Sequence, residues 1–85
     1  MDKPIVLRLH AEHALAEREI ELSWVERAVR APDWTEADPQ DPALERRFRA
    51  VPERGARILR VVCAENNATI VVVTAFFDRR ARRPA

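Results

Sequence analysis

Apolar residues in this sequence fall into short runs that are separated by charged residues and prolines. Residues 5–9 read IVLRL, and this β-branched and leucine-rich run predicts a first strand. Residues 57–64 and 69–77 are apolar on both faces, which predicts two strands in the centre of a sheet. Asn66 and Asn67 lie between them and predict a two-residue hairpin turn, because asparagine tolerates a positive φ.

The first strand is followed by residues with helical spacing. Ala11, Ala14 and Leu15 fall on one stripe and predict a first helix that ends near Glu19. Arg18 lies in the middle of this inward stripe. A buried guanidinium is costly without a partner, so we expect Arg18 to meet a carboxylate, backbone carbonyls or a ligand phosphate, unless its head reaches solvent.

A second helix is predicted from a capping signal. Ser23 begins the sequence Ser-Trp-Val-Glu, which fits a capping box with Ser23 as N-cap and Glu26 at the third helical position. The helix is expected to end before Pro32. Its predicted buried stripe consists of Trp24, Val25, Ala28 and Val29.

The remaining segments complete a predicted α+β domain. Residues 31–42 contain three prolines and read as a loop, with a short edge strand around Trp34. Residues 46–51 alternate polar and apolar positions and predict another strand, followed by a turn at 52–55. The predicted order is β-α-α-(β)-β-β-β, with two helices packed on a mainly antiparallel sheet of three to four strands. The whole chain, 1–85, reads as one domain, and we expect the basic tail at 78–85 to fray.

Length and composition are those of a small folded domain. With 85 residues the chain has room for one core, and its single cysteine, Cys63, excludes an internal disulfide and a cysteine metal cluster. The longest uncharged run, 66–77, is too short to cross a bilayer. The first ten residues contain no long apolar segment of signal-peptide type, so we expect no membrane association and a cytoplasmic location.

Charge is distributed unevenly, although the net charge is only +1. Residues 1–45 carry five cations against eleven acidic residues, whereas residues 46–85 carry ten arginines against three acidic residues. One interpretation is a basic face for a polyanion such as RNA. The alternative is that the two halves neutralise each other across the sheet.

His10 lies where the first strand, taken as central, gives way to the first helix, and such junctions often line clefts. An imidazole there can act as a general acid or base near neutral pH. The alternative is that His10 caps the helix or packs on an aromatic residue. His10, His13 and Glu17 do not predict a zinc site, because no second cluster supplies a fourth ligand, so we expect neither a metal nor a cofactor.

Arg60 interrupts an otherwise apolar strand and therefore requires a partner. With a two-residue turn, it would face the same side as Val71 and Val73, with Thr74 on the opposite side. A basic surface beside it is predicted for a nucleic acid. Its residues are Arg46, Arg47 and Arg49, with Arg79 and Arg80 after the last strand. The alternative is a solvated edge that prevents aggregation.

Several segments resemble a family of short bacterial domains of unknown function. The residues are His10-Ala11, Glu17-Arg18-x-Ile20 and the final Thr74-Ala75, which match a His-Ala, Glu-Arg-Gly-Ile and VxTA signature. That family is similar to RelE and BrnT-type toxins, small α+β ribonucleases of toxin-antitoxin modules. Glu19 stands where the family has glycine, and Ala14 where we expect arginine.

The resemblance implies a domain that binds or cleaves RNA without a metal. In that mechanism His10 is the acid or base, and Arg18 and Arg60 hold the phosphate. The first alternative is a non-catalytic module that binds RNA or an acidic antitoxin-like protein. The second is a regulatory domain whose charges form ordinary internal ion pairs.

Overall fold

The computed structural model describes residues 2–84, which form two α-helices and five strands. The strands are β1 (Ile5–Leu7), β2 (Trp34–Ala37), β3 (Glu45–Val51), β4 (Arg57–Glu65) and β5 (Ile70–Phe77). The helices are α1 (Leu9–Glu17) and α2 (Leu22–Arg30), and a single 3₁₀ turn, Pro52–Arg54, joins β3 to β4. This order confirms the predicted α+β class.

The described strands form one mixed sheet in the order β1-β5-β4-β3-β2. β1 pairs with β5 in parallel, and the other neighbours are antiparallel. The prediction of three to four strands was therefore wrong, because both short strands pair at the edges. β4 is in the middle with β5 beside it, as their apolar faces predicted. β1 is an edge strand, so His10 does not follow a central strand.

Both helices pack on one face of the sheet and enclose the core. The stripe predicted for α2 is confirmed, since all four of its residues are at most 6% exposed. The sheet contributes alternate residues to this core. From β4 these are Leu59, Val61 and Cys63, and from β5 they are Ile70, Val72 and Ala75. Cys63 is fully buried, and burial raises the pKa of its thiol, which agrees with a packing role.

The boundary between the first strand and the first helix lies at Arg8 and not at His10. The Arg8 backbone N–H donates to the carbonyl of Val72 at 3.0 Å, and the Arg8 carbonyl accepts from the N–H of Glu12 at 3.0 Å. One residue thus makes the last sheet bond and the first helical bond. Leu9, predicted to be in the strand, begins α1 instead.

The C-terminus of α1 is closed by a Schellman motif centred on Glu19. Glu19 has a φ of 54°, in the left-handed region. The Ile20 N–H donates to the carbonyl of Leu15 at 2.9 Å, and the Glu19 N–H donates to that of Ala16 at 3.4 Å. Leu15 and Ile20 both join the core. This backbone conformation explains why a glycine is expected at position 19.

The capping box predicted for α2 was wrong. The N-cap is Glu21 and the helix begins at Leu22, so Ser23 lies inside its first turn. Ile20 is buried, and Glu21, which follows it, has an extended backbone with φ −77° and ψ 143°. The Glu21 carbonyl then accepts the first helical bonds, from Trp24 and Val25. The predicted end before Pro32 is confirmed.

The β4–β5 connection is longer than predicted. It comprises four residues, 66–69, and the Asn66 side-chain carbonyl accepts from the N–H groups of Ala68 at 2.7 Å and Thr69 at 2.8 Å. A register shift then occurs at Val62/Cys63, where Val62 pairs with Thr74 and Cys63 pairs with Val72. This bulge places Thr74 on the same face as Arg60, so the predicted opposite placement was wrong.

The basic tail folds back onto the sheet. The Asp78 carboxylate accepts from the backbone N–H of Arg80 at 2.9 Å, and Arg83 pairs with Asp33 at 3.3 Å. The expectation that the tail frays stays a prediction, and Ala85 lies outside the described residues. Neither helix in residues 2–84 is long and apolar enough to span a membrane.

We expect Glu19→Gly to increase the free energy of unfolding by about 0.5–1 kcal/mol, since glycine adopts the left-handed conformation without the steric cost of a Cβ. Ala16→Gly is the matched control, because Ala16 is exposed in the last turn of α1 and lies within the helix, and it should lose up to about 1 kcal/mol. Urea unfolding measures both changes. A destabilised Glu19→Gly variant would contradict the assignment of strain to this position.

Candidate nucleic-acid interface

Two of the predicted site residues lie at opposite ends of α1. His10 is in the first turn and is exposed. Arg18 is the C-cap, and its guanidinium donates to the backbone carbonyl of Ala75 in β5 at 3.0 Å. A backbone carbonyl is one of the partners expected for Arg18, but its predicted inward position was wrong, because the residue is exposed. Arg18 follows His10 by eight positions, which corresponds to a rise of about 12 Å along the helix axis.

The third predicted residue, Arg60, lies on the other face of the sheet. The adjacent residues in β4, Leu59 and Val61, point into the core beneath the helices, so the Arg60 side chain points away from the helices. The guanidinium lies 4.7 Å from the ring centroid of Phe76 and 5.7 Å from that of Phe48. The structure therefore does not bring Arg60 together with His10 and Arg18.

Arg60 has an internal anionic partner in Asp78. The Arg60 Nε donates to the Asp78 Oδ2 at 3.0 Å, and a second guanidinium nitrogen contacts the same oxygen. The Arg60 side chain is 21% exposed and that of Asp78 only 9%. Burial alone would raise the pKa of Asp78, but the bonds from Arg60 and from the backbone outweigh it and lower that pKa. Arg60 is thus neutralised within the fold.

The three arginines of β3 also have partners within the protein. Arg46 pairs with Asp38 at 3.4 Å, on the face opposite the helices. Arg47 pairs with Glu45 and with Glu65, each at 2.7 Å, and also donates to the carbonyl of Val29. Arg49 donates to the carbonyl of Ala31. The side chains alternate between the faces of the sheet, so β3 does not present one continuous basic surface.

Two carboxylates that accept hydrogen bonds from cationic side chains, Glu65 and Glu53, have strongly lowered pKa values. Hydrogen bonds from Lys3 and Arg47 lower the pKa of Glu65 to about 2. Arg27 donates to both oxygens of Glu53 at 3.0 and 2.7 Å, and this lowers the pKa of Glu53 to about 2. Within residues 2–84, only Arg46–Asp38, Arg47–Glu45 and Arg83–Asp33 join a cation of the basic half to a carboxylate of the acidic half, as the neutralisation hypothesis expects.

Other arginines gather at one end of the sheet, where β5 ends and β4 begins. Arg57 lies 4.6 Å from the ring centroid of Phe77, and Arg54 lies 5.1 Å from the same ring. Arg18 contacts the carbonyl of Ala75, two residues earlier in β5. We call this set the arginine cluster, and its members are Arg18, Arg54, Arg57, Arg79 and Arg82.

The arginine cluster lacks acidic partners within residues 2–84. None of its guanidinium groups forms an ion pair with a carboxylate there. The neighbouring acids, Glu53 and Asp78, are paired with Arg27 and Arg60. The positive charge of the cluster is therefore directed to solvent.

An open pocket of about 350 Å³ is lined by three members of the arginine cluster. Its floor includes Phe77 and the first residues of β4, and the tail forms another wall. Arg57, Arg79 and Arg82 line it. We call this space the tail pocket. Arg80, predicted beside Arg79, is exposed and does not line it.

The sequence analysis named Arg18 and Arg79 of the arginine cluster but not Arg54, Arg57 and Arg82. The predicted antiparallel pairing of 57–64 with 69–77 already contained a signal, because it places Arg57 beside Phe77 at the same end of the sheet. Arg54 follows from the turn directly before that strand. No group of three histidine, cysteine, aspartate or glutamate residues that could hold a metal ion occurs within residues 2–84.

Comparisons with known proteins identify a family without an assigned activity. The family model described as "Domain of unknown function (DUF4258)" matches residues 7–77, which is most of the chain. The match includes Arg18, Arg54 and Arg57, whereas Arg79 and Arg82 lie beyond it. No curated protein and no solved structure gives a significant match.

We expect Asp78→Asn to reduce the free energy of unfolding by about 1–2 kcal/mol, because it leaves the half-buried Arg60 without a counter-charge. The double variant Arg60→Gln/Asp78→Asn should lose less than the sum of the two single variants. Glu26→Gln, an exposed change on α2, is the control and should stay within about 0.5 kcal/mol. Additive losses in the double variant would show that Arg60 does not depend on Asp78.

The Glu65 ion pairs should make stability depend on acid pH. The pKa of Glu65 is about 2 when folded, against an ordinary value of 4.5, so its pairs stabilise the fold above pH 4.5 and lose this effect as pH falls toward 2. Urea midpoints of wild type and Glu65→Gln, measured over this range, should converge as pH falls. A constant difference between the two proteins would contradict this assignment.

Proposed function

We propose that this chain, which belongs to the DUF4258 family, binds RNA through the arginine cluster and does so without cleaving it. The observation that carries the proposal is a set of five arginines without carboxylate partners near the end of β5, three of which line one pocket. Phosphate oxygens suit such groups, because the planar fork of arginine donates to two of them at once. The resemblance to RelE and BrnT-type toxins supports RNA as the polyanion.

The fold holds part of the arginine cluster in place before any ligand arrives. Arg54 and Arg57 stack on Phe77, which in turn contacts Trp24 edge-on at a centroid distance of 6.2 Å. Arg54 also donates to the carbonyl of Glu19 at 3.3 Å. Side chains that are already ordered lose less entropy on binding, which favours a specific phosphate contact over a diffuse one.

Binding without cleavage is proposed because the acid-base residue is far from the cations. Metal-independent cleavage requires a base beside the 2′-hydroxyl and an acid beside the leaving oxygen. His10 is about 12 Å from Arg18 along α1. Arg60, the other predicted phosphate contact, is occupied by Asp78. An acidic antitoxin-like protein is the alternative ligand for the same guanidinium groups, but a concave pocket suits a phosphate better than a flat protein surface.

The test compares two double variants that remove equal charge. Arg57→Gln/Arg82→Gln removes two cations of the arginine cluster, and Arg8→Gln/Arg30→Gln removes two exposed cations outside it. Binding to a fluorescent single-stranded RNA is measured by anisotropy across a series of salt concentrations with EDTA present. We expect the cluster variant to bind about tenfold more weakly near 0.15 M salt, with a salt slope lower by about 1–1.5. The control variant should stay close to wild type.

The same samples are run on a denaturing gel to score cleavage. An intact RNA supports the binding proposal. Cleavage that is lost in His10→Ala would contradict it and favour the metal-independent ribonuclease. Equal weakening in both double variants would show that net charge, and not the arginine cluster, governs binding. Absence of binding by wild type even at low salt would overturn the proposal.

A further inference from the structure

We infer that the tail pocket takes the terminal phosphate of an RNA chain, an inference that rests on the proposed RNA binding. Arg57 comes from the start of β4, while Arg79 and Arg82 come from the tail, so cations line the pocket from two separate segments. Its volume of about 350 Å³ lies at the lower end of the range for small-ligand pockets. Such a space suits one nucleotide and not a stretch of backbone.

Two of the pocket's arginines are fixed by contacts that do not use their full hydrogen-bonding capacity. Arg57 is held by the ring of Phe77 at 4.6 Å. Arg82 donates through one guanidinium nitrogen to the carbonyls of Arg79 at 3.2 Å and Ala81 at 3.1 Å. A guanidinium has five N–H donors, so most donors of both groups stay available.

The pocket's carboxylate does not cancel this charge. Asp78 lines the pocket, but its Oδ2 accepts from Arg60 on the far side of the sheet, and its Oδ1 accepts from the N–H of Arg80. Both oxygens are therefore engaged within the protein. A ligand anion in the pocket would meet three cations and one carboxylate that is already neutralised.

The charge of the ligand decides between the end of an RNA chain and its interior. A terminal phosphomonoester carries about −1.5 to −2 at pH 7, because its second pKa is about 6, whereas each internal diester carries about −1. A chain end can also enter a concave site with its terminal oxygens first. An internal diester would have to bring two flanking sugars into the same space. Three converging arginines therefore favour the chain end.

The experiment uses one oligoribonucleotide sequence in three forms: 5′-phosphorylated, 3′-phosphorylated and with free hydroxyls at both ends. Affinity for wild type is measured by competition against a fluorescent RNA near physiological salt. We expect one phosphorylated form to bind about tenfold more tightly than the hydroxyl form, and the comparison of the two ends identifies which terminus is bound. Arg57→Gln and Arg82→Gln should each reduce this preference.

Arg80→Gln is the matched control, since it removes the same charge from the residue adjacent to the pocket wall. It should leave the preference for the phosphorylated end unchanged, even where overall affinity falls. Thermal unfolding of each variant confirms that it is folded. Equal affinity for all three forms would overturn the inference and leave RNA binding intact. Failure of every form to bind would overturn both proposals.

Discussion

Burial of one face of the β4–β5 pair beneath both helices is the constraint from which the other features of this structure follow. Leu59, Val61, Cys63, Val72 and Ala75 are all fully buried on that face. Because side chains alternate along a strand, Arg60 is forced onto the opposite face with its cross-strand partners Phe48 and Phe76. The same alternation prevents β3 from presenting its arginines as one surface. Register, and not local composition, therefore determines which cations are available to a ligand.

The uneven charge along the chain is partly balanced by ion pairs between its two halves. Arg46–Asp38 and Arg83–Asp33 join cations of the basic half to carboxylates of the acidic half, whereas Lys3–Glu65 and Arg27–Glu53 pair the minority charges of each half. Exposed pairs of this kind contribute little each, so their main effect is to remove charge from most of the surface. The basic half carries more cations than these pairs use, and the remainder is concentrated at the end of β5.

Local patterns predicted the elements of this fold well. The apolar stripe of α2 was predicted residue for residue, and β3, β4 and β5 were predicted to within one residue at each end. Turn geometry was not predictable in the same way. The left-handed Glu19 is a non-glycine residue in a conformation that favours glycine, and the tertiary contact of Ile20 with the core imposes it. The bulge at Val62 likewise leaves no signature in an apolar run.

The candidate site was only partly predictable, because partners distant in sequence determine what each arginine does. Arg18 and Arg60 were both singled out as charged residues within apolar surroundings. The structure gives them different roles, since Arg18 contacts a carbonyl at the edge of β5, whereas Arg60 pairs with Asp78, eighteen residues away. A sequence shows that a cation within an apolar segment needs a partner but does not identify that partner. Only the register of β4 and β5 places Asp78 within reach of Arg60.

Phe77 connects the core to the arginine cluster and gives the proposed site its rigidity. Its ring contacts Trp24 of α2 edge-on. The guanidinium groups of Arg54 and Arg57 also lie against this ring. Cations that stack on an aromatic residue of the core keep their position when the ligand is absent, while their charge stays accessible to solvent. Phosphate recognition by such groups requires geometry but no acid or base. The proposed site therefore needs no contribution from His10, which lies at the far end of α1.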